Sequence, residues 1–471
     1  MELFFLVLLV VMLAVALGSG FPVAFAIPGS AIVAVSLAAI AGLVLTGNPD
    51  AFFIHGGGPS EWLSAGAMNI RGIYNNDGTD VLIAVPLFIF MGLMLEKSRV
   101  AEDLLVAMAR LFGTVRGGLG VSVVLVGALL AATTSVIGAT VIAMGMISLP
   151  TMLRNRYSKP MATGIVAATG TLGQIVPPSI VLLILVHQLT TAVNEANAAR
   201  RALYKTVTGD LLMPSQFDVP SVSAGEMFMG ALVPALILVA LYVLYILVTA
   251  YLRPDMAPAY QRSETTDKNA IAALVVALAP PLILILLVLG SIIAGVATVN
   301  QAGAVGAAGA TMMAGYRLRE GQRGAFWPAL LAIAALIALG VINAFFHVNL
   351  RKIEGTADIV GIVLAAVASS ALAIALGSSL WRTWATSGTL RRVLEDTTKT
   401  TSLVFAILIG AVMLTAAFRG FGGEDLVRDF MRGLPGGFWG QFAVAMAIIF
   451  VLGFFLDFLE ITVVVVPIIA P

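Results

Sequence analysis

The sequence is dominated by apolar runs of about 20 residues that follow one another along nearly the whole chain. A helix of that length crosses a hydrocarbon core of about 30 Å and satisfies its backbone hydrogen-bonding groups internally. Charged residues make up only 11% of the chain, against about a quarter in soluble domains. We therefore predict an all-α, polytopic membrane protein. The candidate spans are 2–18, 22–46, 81–96, 161–187, 227–252, 269–294, 299–316, 326–347, 358–381 and 401–418.

Little in the sequence suits an enzyme or a conventional metal centre. It contains no cysteine and only three histidines, and His55, His187 and His347 lie far apart along the chain. A metal-binding HExxH helix, a nucleophile elbow and a P-loop are all missing from the sequence. We expect this chain to be no enzyme, to use no organic cofactor and to bind no nucleic acid.

Lysine and arginine in the short loops predict the orientation of the chain in the membrane. Segments 97–116 and 154–159 are basic and should face the cytoplasm. Segment 47–80 has Arg71 as its only basic residue among four acids and should lie outside. The N-terminus should then lie outside as well, and so should the long loop 188–226.

The apolar block 117–150 has cytoplasmic flanks on both sides. Its 34 residues would form a single helix of about 50 Å, too long for one span, yet they are too few for two spans and a turn. We predict a re-entrant helical hairpin with its tip near "TTSVIGAT", 133–140. The alternative is a pair of short tilted spans with a tight turn outside.

The apolar block 438–470 has a similar pattern and enters from the opposite side. Asp457 and Glu460, at positions i and i+3, are the only acids well inside an apolar run, and intramembrane acids are usually functional. The alternative is an exposed loop between two short spans. Opposite entry sides suggest an inverted-topology repeat, which places binding sites near the bilayer midplane.

A third unusual stretch is "GTLGQIVPPSIVLLIL", 170–185. Its tandem prolines, Pro177 and Pro178, should break any helix that contains them, and its glycines permit unusual backbone angles. Released carbonyls and hydroxyls suit a hard monovalent cation such as Na⁺, and half-helix N-termini favour an anionic substrate. The alternative is a merely kinked span, since proline is frequent in membrane helices.

Seven segments carry a family resemblance, in order along nearly the whole chain. They are "VPLFIFMGLMLEKSRVAEDLL" (85–105), "GATVIAMGMISLPTML" (138–153), "ATGTLGQIVPPSIVLLIL" (168–185), "SAGEMFMGALVPAL" (223–236), "FRGFGGEDL" (418–426), "LPGG" (434–437) and "LGFFLDFLEIT" (452–462). With them the chain resembles the large membrane (permease) subunit of tripartite ATP-independent periplasmic (TRAP) transporters. Two extra helices at 326–347 and 358–381 make it similar to the longer subtype of that subunit.

The resemblance implies an inverted-repeat, elevator-type transporter with two re-entrant hairpins and a broken helix. It implies sodium-coupled import of an organic acid, a carboxylate, across the bacterial cytoplasmic (inner) membrane, with the N-terminus periplasmic. Sodium ions would be co-transported. The implied partners are a small membrane subunit, a periplasmic substrate-binding protein, the small organic-acid substrate and the lipid bilayer.

The resemblance also implies site residues. The first sodium site would use Thr134, Ser135, Gly173, Val176 and Pro177. The second would use Gly453, Asp457, Glu460 and Thr462. The substrate would bind between the hairpin tips and the break, at Thr134, Ser135, Gly138, Thr140, Gly170, Thr171, Gln174 and Pro178.

The same resemblance divides the chain into four functional segments. N-terminal scaffold spans occupy 1–116, and the first hairpin with the broken helix occupies 117–190. An external loop, scaffold spans and the extra helices occupy 191–400, and the second-repeat span and hairpin occupy 401–471.

Two features depart from the family pattern. Family members usually read Thr-Pro-Thr-Glu-Ala where this chain reads "TVNQA", 298–302, so Val299 and Gln301 replace a proline and an acid. Relatives also continue past the equivalent of Pro471 with another span that carries its own Pro-Pro interruption. We therefore expect the chain to be truncated at its C-terminus, with an incomplete second sodium site.

Two rival functions stay open at this stage. One is another sodium- or proton-coupled organic-anion carrier, or an ion antiporter, that works without a binding protein. The other, from a different class, is a membrane-embedded enzyme with Asp457 and Glu460, at i and i+3 on one helical face, as its catalytic pair.

Overall fold

A computed structural model describes most of the chain. The described residues are 1–54, 58–64, 80–98, 104–105, 107–108, 112, 115–131, 137–210, 213–214, 216, 218–220, 222–259, 270–319, 321–322, 324–346, 348, 355–386, 388–454 and 456–469. Within these ranges the regular structure is entirely helical. The predicted all-α fold is confirmed.

The principal helices, in chain order, fall close to the apolar runs. They are α1 (Glu2–Gly18), α2 (Val23–Thr46), α3 (Asp80–Lys97), α4 (Gly118–Ala131), α5 (Ile137–Arg154), α6 (Lys159–Thr171), α7 (Ile180–Thr208), α8 (Ala224–Leu252), α9 (Ala270–Ile293), α10 (Val299–Arg317), α11 (Trp327–Phe345), α12 (Thr356–Ala385), α13 (Thr389–Gly420), α14 (Gly423–Arg432) and α15 (Gly437–Leu452). A helical arm follows α15 and consists of the turn Phe458–Glu460, a π-helical turn Ile461–Val465 and Val466–Ile469.

Within the described ranges, six helices are long and apolar enough to cross a membrane. They are Val23–Thr46, Ile180–Thr208, Ala224–Leu252, Trp327–Phe345, Asp358–Ala385 and Thr389–Gly420. Shorter apolar helices, among them α1, α4, α5 and α15, accompany them. The chain is therefore a multi-pass membrane protein.

The chain divides into two compact units. Unit 1 consists of Met1–Ile83, Val181–Met227 and Lys399–Pro471, and unit 2 of Ala84–Ile180 and Phe228–Thr398. These units are defined by packing, and the four functional segments expected from the resemblance stay a prediction.

In unit 1, the first helix is anchored by aromatic packing. The ring of Phe5 stacks on that of Phe421 with their centroids 6.0 Å apart, and the ring of Phe421 stacks on that of Phe53 at 5.2 Å. The ring centroid of Phe52 lies 5.6 Å from that of Phe5. The indole Nε1 of Trp62 donates to Met413 O at 2.9 Å. These contacts attach the segment after α2 to α13.

In unit 2, small residues on α10 allow neighbouring helices to approach closely. A β-carbon on Gly303 would lie 3.2 Å from Leu87 Cβ, and one on Gly315 would lie 3.0 Å from Ser379 Cβ. Such small-residue contacts are the usual basis of helix association in lipid. They explain why α10 can be glycine-rich and still be a well-packed helix.

The prediction that the span ends at 187 and a loop follows is wrong, because α7 continues to Thr208. Residues 188–208 contain neither glycine nor proline and include five alanines, and alanine is the strongest helix former. Hydropathy predicts the residue at which a helix leaves the hydrocarbon core, and α7 continues as a helix beyond residue 187. Gly209, with φ +78°, ends it.

Part of the segment after α7 folds back onto that helix. The Asn197 side chain donates to Val219 O at 3.0 Å and accepts from Val219 N at 2.8 Å. Arg201 Nη2 donates to Asp218 Oδ2 at 2.7 Å, and this hydrogen bond lowers the pKa of the Asp218 carboxyl.

A second pair of tandem prolines does not interrupt its helix. Pro280 and Pro281 lie inside the continuous helix α9. Alanine, leucine and valine precede this pair in "ALVVALAPP", whereas "GTLGQIVPP" brings two glycines, each costing about 1 kcal/mol relative to alanine in a helix. Context therefore decides whether a Pro-Pro pair interrupts a membrane helix.

Candidate functional site

The predicted break within the run 161–187 is confirmed. Helix α6 ends at Thr171, a 3₁₀ turn covers Leu172–Gln174, and α7 begins only at Ile180. Residues 175–179 are not helical. The alternative of a merely kinked span is excluded, because five residues separate the last helical turn from the next helix.

The break leaves backbone oxygen atoms available. Leu172 O accepts from the N–H groups of Ile175 and Val176, each at 3.0 Å. Within the described ranges, the structure records no hydrogen bond to the carbonyl oxygens of Gly173, Val176 and Pro177. These three carbonyls belong to the residues that the resemblance assigns to the first sodium site. Carbonyl oxygens are suitable ligands for a hard cation.

The Gln174 side chain is buried, with 8% of its surface exposed. Its Nε2 has no hydrogen-bond partner among the described residues, and its backbone carbonyl accepts from Ser179 Oγ at 2.6 Å. An unpaired buried amide costs about 1–3 kcal/mol. Gln174 therefore offers a donor that a carboxylate oxygen could satisfy.

The arms of the first hairpin, α4 and α5, both contact the 3₁₀ turn of the break. At 1.5 Å per residue, the 14 residues of α4 extend about 21 Å, short of a hydrocarbon core of about 30 Å. Five residues, 132–136, join the arms. Helices of 14 and 18 residues with a short connection agree with the predicted hairpin, and its re-entrant placement stays a prediction.

The structure places only some of the expected hairpin residues. Thr134 and Ser135 lie outside the described residues. Gly138 lies in the first turn of α5, and Thr140 is buried in the same helix, 3% exposed. The tip itself, on which the first sodium site depends, therefore remains a prediction.

The remaining expected substrate residues lie on or beside α6. Gly170 is buried against α5, and a β-carbon there would overlap Val141 Cγ2 and lie 3.2 Å from Val141 Cα. Thr171 is exposed, and its hydroxyl donates to Ala168 O at 2.7 Å. Pro178 is buried in the break. Gly170 thus has a packing reason to be glycine, whatever else it does.

In the second hairpin block, the expectation that Asp457 and Glu460 share one helical face is wrong. Asp457 precedes the helix as its N-cap, with φ −75° and ψ 163°. Its carboxylate accepts from Phe458 N at 2.8 Å, and Glu460 Oε2 accepts from Asp457 N at 2.9 Å. This capping box explains the spacing, because N-cap and N3 are three residues apart.

Gly453 and Thr462 lie on the two sides of that cap. Gly453 ends α15, and a β-carbon on it would lie 3.9 Å from Ile461 Cδ1. Thr462 is buried, 6% exposed, inside the π-helical turn. Such π-turns occur preferentially at functional sites.

A cavity of about 650 Å³ lies within unit 1, and we did not predict it. Its walls come from α7, α13, α14 and the arm after α15, and Gln188, Thr191 and Val463 are among its lining residues. On its charged side, Glu424 bridges two arginines, at 3.0 Å to Arg419 Nε and 2.7 Å to Arg428 Nη2. The dense charges of 419–428 were the only sequence signal for it.

The departure at 298–302 keeps its local geometry. Thr298 is the N-cap of α10, Gln301 N donates to Thr298 Oγ1 at 3.3 Å, and Gln301 Oε1 accepts from Thr298 N at 2.9 Å. Glutamine at N3 completes a capping box as glutamate does. The proline of the family pattern would fall at N1, where helices also tolerate it.

The chain matches the DctM component of the tripartite ATP-independent periplasmic transporters over residues 6–202, 211–338 and 327–471. The chain belongs to the DctM family. The resemblance seen in the sequence is thereby confirmed, and DctM proteins are transporter permeases rather than enzymes.

Curated relatives share moderate identity with this DctM family member. A C4-dicarboxylate TRAP transporter large permease protein of Vibrio cholerae is 28% identical over 52% of this chain and 46% of its own length. One of Rhodobacter capsulatus is 31% identical over 48% and 46%. An isethionate TRAP transporter permease protein of Oleidesulfovibrio alaskensis is 24% identical over 63% and 41%. The chain spans about half the length, or less, of the curated relatives it matches.

Proposed function

We propose that the chain acts as the large permease subunit of a sodium-coupled importer of a small organic acid. The observation that carries this proposal is the break between α6 and α7. Three backbone carbonyls lie there that accept no recorded hydrogen bond from the described part of the chain, and they are close in sequence to the buried amide of Gln174. Acceptors for a cation and a donor for an anion thus occur within a few residues, as coupling of Na⁺ to a carboxylate requires.

The first sodium ion would be held by the carbonyls of Gly173, Val176 and Pro177 together with hydroxyls of Thr134 and Ser135 at the hairpin tip. The substrate carboxylate would accept from Gln174 Nε2. In this arrangement the bound cation offsets the charge of the substrate inside a dry site. Each ligand would then raise the affinity for the other, because opposite charges interact strongly at low dielectric.

The second sodium site would lie at Gly453, Asp457, Glu460 and Thr462. Both carboxylates already accept backbone N–H groups, and a carboxylate oxygen has a further lone pair for a cation. The buried hydroxyl of Thr462 would supply another oxygen. Movement of the two sites together across the membrane would be the elevator step.

We propose the same partners and setting as the resemblance implies. A small membrane subunit would complete the transporter in the bacterial cytoplasmic membrane, and a periplasmic binding protein would deliver substrate. The names of the relatives suggest C4-dicarboxylates and isethionate as first substrates to assay, since both are small anions.

The test is uptake of radiolabelled C4-dicarboxylate or isethionate into proteoliposomes that contain this chain and its small subunit. We expect uptake when Na⁺ is high outside and the binding protein is present. Replacing Na⁺ by K⁺, or omitting the binding protein, should abolish uptake. Equal uptake in K⁺ would refute sodium coupling, and equal uptake without the binding protein would favour the independent carrier.

A further inference from the structure

Unit 2 contains a second cavity, of about 530 Å³, that is almost entirely apolar. One wall is formed by Met161 and Ile165 on α6, and the other by Leu238, Leu241 and Ile246 on α8. We call this cavity the α6–α8 groove.

The groove has a buried wall and an open edge. Met161 and Ile165 are 6% and 5% exposed, whereas Leu241 and Tyr245 are 54% and 65% exposed. Helix α8 is one of the helices apolar enough to cross the membrane, with a mean hydropathy of 2.8. We expect its exposed side chains to face lipid, so that the groove opens to the hydrocarbon.

The start of α6 and the end of α8 meet at one end of the groove. Pro160 and Met256 line the groove at this end. Ser158 N donates to Met256 O at 3.0 Å, and Met256 N donates to Arg253 O at 3.0 Å. These hydrogen bonds hold the turn after α8 against the N-terminus of α6.

This end of the groove is strongly basic. Segments 154–159 and 253–255 contain Arg154, Arg156, Lys159 and Arg253 against a single acid, Asp255, a net charge of +3. Arg156, Lys159 and Arg253 are exposed, and no ion pair to them is recorded within the part of the chain that the structure describes. Lysine and arginine content predicts that this end faces the cytoplasm.

We propose that the α6–α8 groove binds an acyl chain of an anionic phospholipid whose phosphate lies at Lys159 and Arg253. An apolar channel open to lipid suits an acyl chain, and the +3 cluster at its end suits an anionic headgroup. Basic pockets between transmembrane helices on the cytoplasmic side commonly bind such headgroups. The N-terminus of α6 adds a favourable dipole beside Lys159.

An extended acyl chain is much narrower than a helix of about 10 Å diameter and can enter the groove through its open edge without displacing α8.

Gly164 supplies a sharp test, because it lines the groove and a β-carbon on it would meet no atom within 4 Å. Gly164→Leu should therefore fill the groove without disturbing the packing of α6. Gly230→Leu is the matched control, since Gly230 on α8 is equally open and does not line the groove. Lys159→Gln with Arg253→Gln removes the headgroup contacts at an exposed surface.

The measurement is native mass spectrometry of the purified protein titrated with phosphatidylglycerol or with phosphatidylcholine of the same acyl chains. We expect the unaltered protein and Gly230→Leu to prefer phosphatidylglycerol by roughly tenfold, the effect of about 1.4 kcal/mol. Gly164→Leu should lose the bound lipid, and the double glutamine variant should lose the preference for phosphatidylglycerol.

Two outcomes would overturn the proposal. One is a phosphatidylglycerol preference unchanged in the double glutamine variant, whose two substitutions lie at exposed positions. The other is a Gly164→Leu protein that retains lipid but no longer co-purifies with the small membrane subunit, which would make the groove a protein interface.

Discussion

Replacement of Gly170 by alanine should push α5, an arm of the first hairpin, away from α6, the first half of the broken helix. The new methyl group would overlap Val141 Cγ2 and lie 3.2 Å from Val141 Cα. A backbone atom cannot move aside by changing a rotamer, so α5 or α6 must shift. Overpacking of this kind costs about 1–3 kcal/mol.

A matched control lies six residues earlier on the same helix. Gly164→Ala adds the same methyl group where no atom lies within 4 Å, and it should stabilise the protein by about 0.4–1 kcal/mol by restricting the unfolded chain. We therefore expect the two variants to differ by about 1.4–4 kcal/mol, or roughly 10- to 700-fold in the unfolding equilibrium constant.

The stability of the purified variants is measured by denaturant titration in detergent. Their transport activity is then measured as sodium-driven uptake in proteoliposomes. Gly170→Ala should unfold at lower denaturant and take up substrate poorly, and adding Val141→Ala should restore part of both because it removes the overlapping Cγ2. If Gly170→Ala matched Gly164→Ala in stability and uptake, the close contact between hairpin and break would be refuted.

Three further changes test single contacts. Asp457→Ala should destabilise by about 0.5–2 kcal/mol through loss of the N-cap, whereas Asp457→Asn should keep it; equal melting of the two would contradict the capping box. Gln301→Glu should preserve the start of α10, because either side chain can accept from Thr298 N, and a melting temperature lowered by several degrees would argue otherwise. Glu424→Gln should change the free energy of unfolding by less than about 1 kcal/mol, because its arginine pairs are partly exposed, and a larger loss in denaturant titration would show a tighter network.

The local sequence pattern of apolar runs, glycines and prolines predicted the helices and the break well. Apolar runs located helices such as α2 and α8 within a few residues, because hydrophobic length is what the bilayer selects. Two glycines ahead of Pro177 and Pro178 located the break. The same reasoning applied to prolines alone would have broken α9, where good helix formers surround Pro280 and Pro281.

Roles that depend on contacts could not be predicted in this way. The sequence predicts that Asp457 is a functional acid within the membrane. In the structure Asp457 is the N-cap of a helical turn. The spacing of three residues between Asp457 and Glu460 already allows that role. The cavity of unit 1 brings Gln188 together with Arg419 and Glu424, more than 200 residues later in the chain. Proximity over that separation is set by packing, and a local pattern such as the charges of 419–428 does not show which distant residues will meet.

We propose that the interruption at Pro177 and Pro178, rather than tandem proline as such, forms the cation site. Sodium dependence of uptake in proteoliposomes, measured for Pro177→Ala with Pro178→Ala and for the matched pair Pro280→Ala with Pro281→Ala, tests it directly. We predict that the first double variant inserts into the membrane but loses sodium-dependent uptake, while the second keeps it. Normal sodium-dependent uptake by the first double variant would show that the interruption at Pro177 and Pro178 does not form the cation site.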